Sequence, residues 1–190
     1  MPGQVGSIDT EPEGLLAFLA QARYTLKVTA YGLTAEQLRA APSASPLSVG
    51  GLIKHCASTE ENWLSTMRNE RQAVDYAAYQ QNFQLADGET IDEVFARYDR
   101  VAERTEKTVA EIGDLGHRIP VDHSVPWNRK DLEYFTVRWI LLHLIQETAR
   151  HTGHADIVRE TIDGGTAFPL LAAAEGWPET QWLKPWAPAS

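Results

Sequence analysis

The 190-residue sequence predicts an all-α fold: a four-helix bundle with a long crossover connection and a Trp/Pro-rich C-terminal tail. Three observations carry this. Four long segments repeat their apolar residues with helical period, and no convincing strand alternation competes with them. Capping and breaking residues bracket those segments. The connections between them are of mixed length, as in bundles with one or two long crossovers.

The first helix is expected from about Glu13 to Gly32, with Leu15, Leu16, Leu19, Tyr24, Leu26 and Val28 at its apolar positions. Thr10 and Pro12 mark its start and Gly32 its stop. Thr34 and Gln37 have capping-box spacing for a short piece at "TAEQLRAA", and "PSASP" then forces a loop. The second helix should begin near Ser48 and end near Asn69. At about 100° per residue, Val49, Leu52, Ile53, Cys56, Trp63, Leu64 and Met67 share an arc of roughly 120°. Residues 70–89 read as a polar loop. Thr90 and Glu93 form a second capping box, opening a third helix from about Ile91 to Ile112 with Ile91, Val94, Phe95, Tyr98, Val101, Val109 and Ile112 as core positions. "GHRIPVDHSVPWNRKDLEY" is a long connection. The fourth helix is expected from about Asp131 to Asp163, stopping at Gly164-Gly165, with its Val137–Ile145 half apolar almost all round and therefore buried. Residues 1–165 read as the bundle domain. Residues 166–190 read as an extension whose Trp177, Trp182 and Trp186 pack on the bundle or on a second subunit.

Composition narrows the function. Formal net charge is −9, which argues against nucleic acid or an anionic membrane surface as partner. No apolar run approaches the roughly 20 residues of a membrane span. The opening "MPGQVGSIDTEPEG" lacks a charged start and an apolar core, so a cytoplasmic location is expected. Cys56 is the sole cysteine, which rules out an intramolecular disulfide and suits a reducing compartment. Its angle puts it in the core arc of the second helix, where a buried structural thiol is the simpler reading. Arginine outnumbers lysine and alanine is abundant, a hint of a GC-rich bacterial genome. Ser58, Thr59 and Ser124 have no nucleophile context, and the glycine pairs at 50–51 and 164–165 read as a helix start and stop rather than phosphate loops.

One pattern points to chemistry. On the fourth helix, with His143 at 0°, Glu147 lies at about 40°, His151 at about 80° and His154 at about 20°. Ile140 and Val158 sit near about 60°, so these polar groups interrupt an apolar stripe and point inward. Burying them costs several kcal/mol unless hydrogen bonds or a metal compensate. Imidazole and carboxylate are ligands for zinc, nickel, iron or manganese. His143 and His151 are about 12 Å apart along the axis, too far to share an ion. The helix therefore supplies one adjacent pair: His143/Glu147, Glu147/His151 or His151/His154. A third ligand must come from elsewhere, and His55 at the edge of the second helix's apolar arc is the best candidate. Glu60 lies within that arc, placed to orient a ligand or a water. His117 and His123, in the long connection, are weaker candidates. The plain alternative is a set of hydrogen-bonded core histidines.

"LTAEQLRAAPSASPLSVGGLIKHCASTEENWL" followed by "RWILLHLIQETARHTGHADIVRETIDG" resembles the DinB-like superfamily of four-helix-bundle metalloproteins, and most closely its actinobacterial branch of mycothiol-dependent proteins. The resemblance runs from about Leu15 to Gly164, and "ETARHTGHADIVRE" is its most specific stretch. It implies a divalent metal held by one residue of the second helix and two of the late helix, here His55, Glu147 and His151. Many members carry histidine where this chain has Glu147, and a carboxylate favours harder ions. His154 and His143 then fall outside the ligand set and, with Glu60, become candidates for proton transfer. Despite a name taken from a damage-inducible gene, the superfamily does not bind DNA.

Three protein ligands leave a coordination position open. Characterised relatives include transferases and isomerases that use thiols such as mycothiol or bacillithiol. The resemblance therefore implies a metal-dependent thiol S-transferase or isomerase acting on small electrophiles. A metal-dependent hydrolase and a non-catalytic metal-binding bundle are the alternatives. Relatives of this size commonly pair, so a homodimer is among the expectations.

Overall fold

The computed structural model describes residues 3–70, 80–126 and 128–188. Four long helices dominate: α1 (Glu11–Val28), α2 (Val49–Met67), α3 (Ile91–Ile112) and α4 (Val137–Asp163). A short α5 (Ala167–Glu175) follows, and one 3-10 turn, Gln37–Arg39, lies between α1 and α2. Of the expected loop at 70–89, residues 71–79 lie outside the described residues, residues 80–81 are helical, and residues 82–89 run through turns and irregular chain.

Hydroxyl side chains start the long helices. Thr10, Ser48, Thr90 and Thr136 each accept a hydrogen bond from the backbone N–H three residues on, satisfying one of the orphan donors of a first turn. Thr90 and Glu93 complete a reciprocal box, as their spacing predicts. At the other end of α4, Gly164 adopts φ 74°, a left-handed cap that side chains with a Cβ resist.

Two expectations need correction. α4 starts at Val137 rather than near Asp131, because Tyr134–Thr136 forms strand β2, paired antiparallel with β1 (Arg118–Pro120). Ile119 and Phe135 face each other in this ribbon and both are buried. The Val137–Ile145 half of α4 is also less enclosed than its composition suggests: Trp139 and Leu142 are exposed.

Each long helix packs mainly on two others. α1 packs on α4, α4 on α2, α2 on α3, and α3 returns to α1. Two clusters fill the interior. One gathers Leu26, Val49, Leu52, Ile53, Cys56, Val94, Tyr98 and Val158, the other Leu19, Leu64, Val109, Phe135, Ile140, Leu141 and Leu144. His55 and Glu147 lie on helices that serve both. The tail is helical over α5 and irregular after it. Trp177 and Trp186 pack beside Val28, Leu170 and Leu171, while Trp182 is exposed.

Candidate metal centre

His55 reaches the interior because α2 buries nearly all of its first half, and the imidazole is only 2% exposed. Its ring stacks on Phe83, with centroids 3.9 Å apart and planes 17° apart. Gly50 and Gly51 permit that contact. A Cβ on Gly51 would lie 1.9 Å from the Phe83 carbonyl oxygen, and one on Gly50 2.5 Å from the Leu85 side chain. The glycine pair is thus a landing place for residues 83–85 as well as a helix start.

From α4, Glu147 and His151 turn toward His55. The Glu147 Oε1 lies 3.1 Å from His151 Nε2 and 3.5 Å from His55 Nε2. One donor atom from each of the three falls within 4.8 Å of the others, the one such cluster among the described residues. Hydrogen bonding to His151, and then to His55, holds the Glu147 carboxyl far below the usual carboxylate range despite partial burial. The group is therefore an anion facing two imidazoles. Donors about 2.1 Å from a tetrahedral cation sit about 3.4 Å from each other, so the two measured edges suit such an ion. A pair of imidazoles with one carboxylate is also a donor set that transition metals accept.

The remaining candidates take separate places. His154 Nδ1 lies 3.4 Å from His151 Nδ1, on the side of that ring away from Glu147. His143 stacks on Trp139 (5.1 Å, 15°) and meets Trp63 edge-on at 5.2 Å. Burial lowers its pKa, and the Glu147 charge offsets only part of that. Glu60, 1% exposed, accepts two hydrogen bonds from Arg23, at 2.9 and 2.6 Å, and is not among the converging donors. His117 is exposed on the connection, and His123 pairs its Nε2 with the Leu132 carbonyl at 2.9 Å. Cys56 is buried between the charges of Glu147 and Glu60; desolvation, and then those carboxylates, push its thiol well above the ordinary range. It is no thiolate at neutral pH.

Phe83, Arg23, Trp63 and Trp139 contribute to this region without having been singled out for it by spacing. Arg23 had one sequence signal, a cation among the apolar positions of α1. Phe83 had another, the paired glycines it packs against.

No curated protein is significantly similar to this chain. A family model described as mycothiol S-transferase matches residues 14–164, a span holding the four long helices almost entire and all three converging side chains, and the chain belongs to that DinB-like family.

Proposed function

We propose that the protein joins mycothiol to a small electrophile, with His55, Glu147 and His151 holding a divalent cation beside the reacting sulfur. The supporting observation is the convergence of these three donors from two helices in a mycothiol S-transferase family chain. Zinc suits the set best, with nickel, iron and manganese as further choices. A bound cation of this kind lowers the proton affinity of a thiol, making thiolate available near neutral pH.

The chain's own residues supply the rest. Glu147 spans the gap between the two imidazoles and carries the compensating negative charge. For His151 to present the Nε2 lone pair, its proton must sit on Nδ1, where it is donated to Nδ1 of His154. His154 is accordingly a positioning residue. His143 lies one turn before Glu147 and is kept neutral by burial, so it is the group assigned the thiol proton. The sulfur lone pair forms the new S–C bond. In a displacement the leaving group departs with the bonding pair; in a conjugate addition sulfur bonds to the β-carbon, the π pair of the C=C bond shifts to the α-carbon, and that carbon then takes the proton. Glu60, closed in its pair with Arg23, is assigned to structure instead.

Metal content tests the ligand set. Protein purified without chelator should carry about one divalent ion per chain, and His151→Ala should lose most of it. Full metal in that variant overturns the assignment. Loaded protein that hydrolyses substrates without mycothiol favours the hydrolase, and loaded protein with no turnover favours a metal-binding bundle.

A further inference from the structure

Along the seam between α2 and α4, facing side chains meet in rungs. His55 meets His151 with ring centroids 4.8 Å apart, and farther along Trp63 meets His143 at 5.2 Å. The two helices therefore run antiparallel here. Thr59 stands midway between His55 and Trp63 on α2, as Glu147 stands midway between His151 and His143 on α4. These two make the middle rung, and both reach the same atom. Thr59 Oγ1 lies 3.4 Å from His55 Nε2, and Glu147 Oε1 lies 3.5 Å from it.

Two further observations single out this hydroxyl. A threonine inside a helix commonly donates to the carbonyl four residues back. Thr25, Thr66, Thr152 and Thr161 all do so, at 2.8 to 3.1 Å. Thr59 turns to the His55 ring instead, at a distance longer than a good hydrogen bond. It is also the one residue from His55 to Glu60 that is not buried. Across the seam, the Glu147 side chain is 27% exposed, against 2% for His55 and 12% for His151. The centre is thus open over the Thr59–Glu147 rung, and a molecule reaching it passes the hydroxyl.

We propose that the Thr59 hydroxyl donates a hydrogen bond to the atom filling the open position of a cation held by His55, Glu147 and His151. In the transfer reaction that atom is the mycothiol sulfur, and this part rests on the thiol-transfer reading above. A neutral hydroxyl is not among the usual ligands of such ions, so Thr59 is not a fourth ligand. Coordination takes up the Nε2 lone pair of His55 and frees the hydroxyl proton for the incoming anion. The thiol proton still leaves to His143, and Thr59 keeps its own. Its hydrogen bond stabilises the thiolate until the new S–C bond removes the charge.

The test uses full-length protein loaded with cobalt(II), whose visible spectrum reports the bound atoms. Thr59→Val keeps the shape of the side chain and loses the hydroxyl, while Thr59→Ser keeps the hydroxyl. Both variants should hold cobalt as wild type does. Loss of cobalt from Thr59→Val would make Thr59 a ligand and overturn the proposal. Thr59→Val should bind mycothiol about tenfold more weakly by calorimetry, with the sulfur-to-cobalt charge-transfer band moved to longer wavelength. Thr59→Ser should return both to wild type. An unchanged band in Thr59→Val overturns the hydrogen bond, as does a Thr59→Ser variant no better than Thr59→Val. If wild type shows no such band with mycothiol, the transferase reading falls, and cobalt-bound water becomes the probe. Its pH midpoint should then lie about one unit higher in Thr59→Val and return in Thr59→Ser, and no change overturns the proposal. Wild-type protein that takes no cobalt overturns both.

Discussion

At Glu60, the difference between a carboxylate poised for chemistry and one held for structure comes down to Arg23. Both side chains are buried, and the guanidinium donates through two nitrogens to the two carboxylate oxygens. Neither can be lost alone without leaving a buried charge. Glu60→Gln is therefore expected to destabilise the protein by about 3 kcal/mol, the lower part of the range for such pairs, because Glu106 also contacts Arg23 at 3.2 Å. The double variant Arg23→Met/Glu60→Leu should unfold at a denaturant concentration nearer to wild type than either single change. Urea melts of Glu60→Gln, Arg23→Met, Glu60→Leu and the double variant check this, and equal or additive losses would argue against the pair. The helical angle of Glu60 showed that it points inward. Its partner was not legible, because Arg23 lies 37 residues away on another helix.

Among the elements, α2 shows how a local feature can serve a distant one. The Gly50-Gly51 pair weakens helix propensity, and Ala at position 51 would ordinarily gain about 1 kcal/mol. Here a Cβ meets the Phe83 carbonyl at 1.9 Å, a backbone atom that cannot simply swing aside. Gly51→Ala should therefore lower the thermal midpoint, with an overpacking cost of about 1–3 kcal/mol outweighing the propensity gain. It should also weaken metal binding, because Phe83 would be pushed off His55. A raised midpoint would show that residues 83–85 yield easily. The start of α4 carries the converse lesson. A pattern of apolar residues extends helical character back to Asp131, yet Thr136 is the cap and a three-residue ribbon takes the preceding residues. Strands that short give alternation too little length to register.

For the whole molecule, the tail is tied to the bundle mainly through α1 and the end of α4. Trp186 meets Tyr31 edge-on at 6.1 Å and lies over the Arg159 guanidinium at 4.6 Å. Arg159 is fully buried, paired with Asp163, and donates to the carbonyls of Thr29 and Tyr31. Removing residues 166–190 should lower the thermal midpoint by several degrees, since it uncovers Val28 and the Arg159 stem. Metal stoichiometry should survive, because none of the three donors contacts the tail's aromatic cluster. Loss of metal on truncation would show that residues 1–165 do not stand as a separate unit.

Periodicity, caps and the inward line of Glu147 and His151 were determined by the sequence alone, because helix geometry is local and converts residue spacing directly into direction. The place of His55 at the edge of the second helix's apolar arc made it the candidate third donor, and resemblance to a family selected Glu147 and His151 from the three adjacent pairs. Only the tertiary structure decided that Glu60 belongs to Arg23, that His154 faces the far side of His151, and that Trp63 meets the aromatic row of α4. Those are contacts between separate elements, and their geometry depends on how helices cross and pack, which no single-helix pattern encodes.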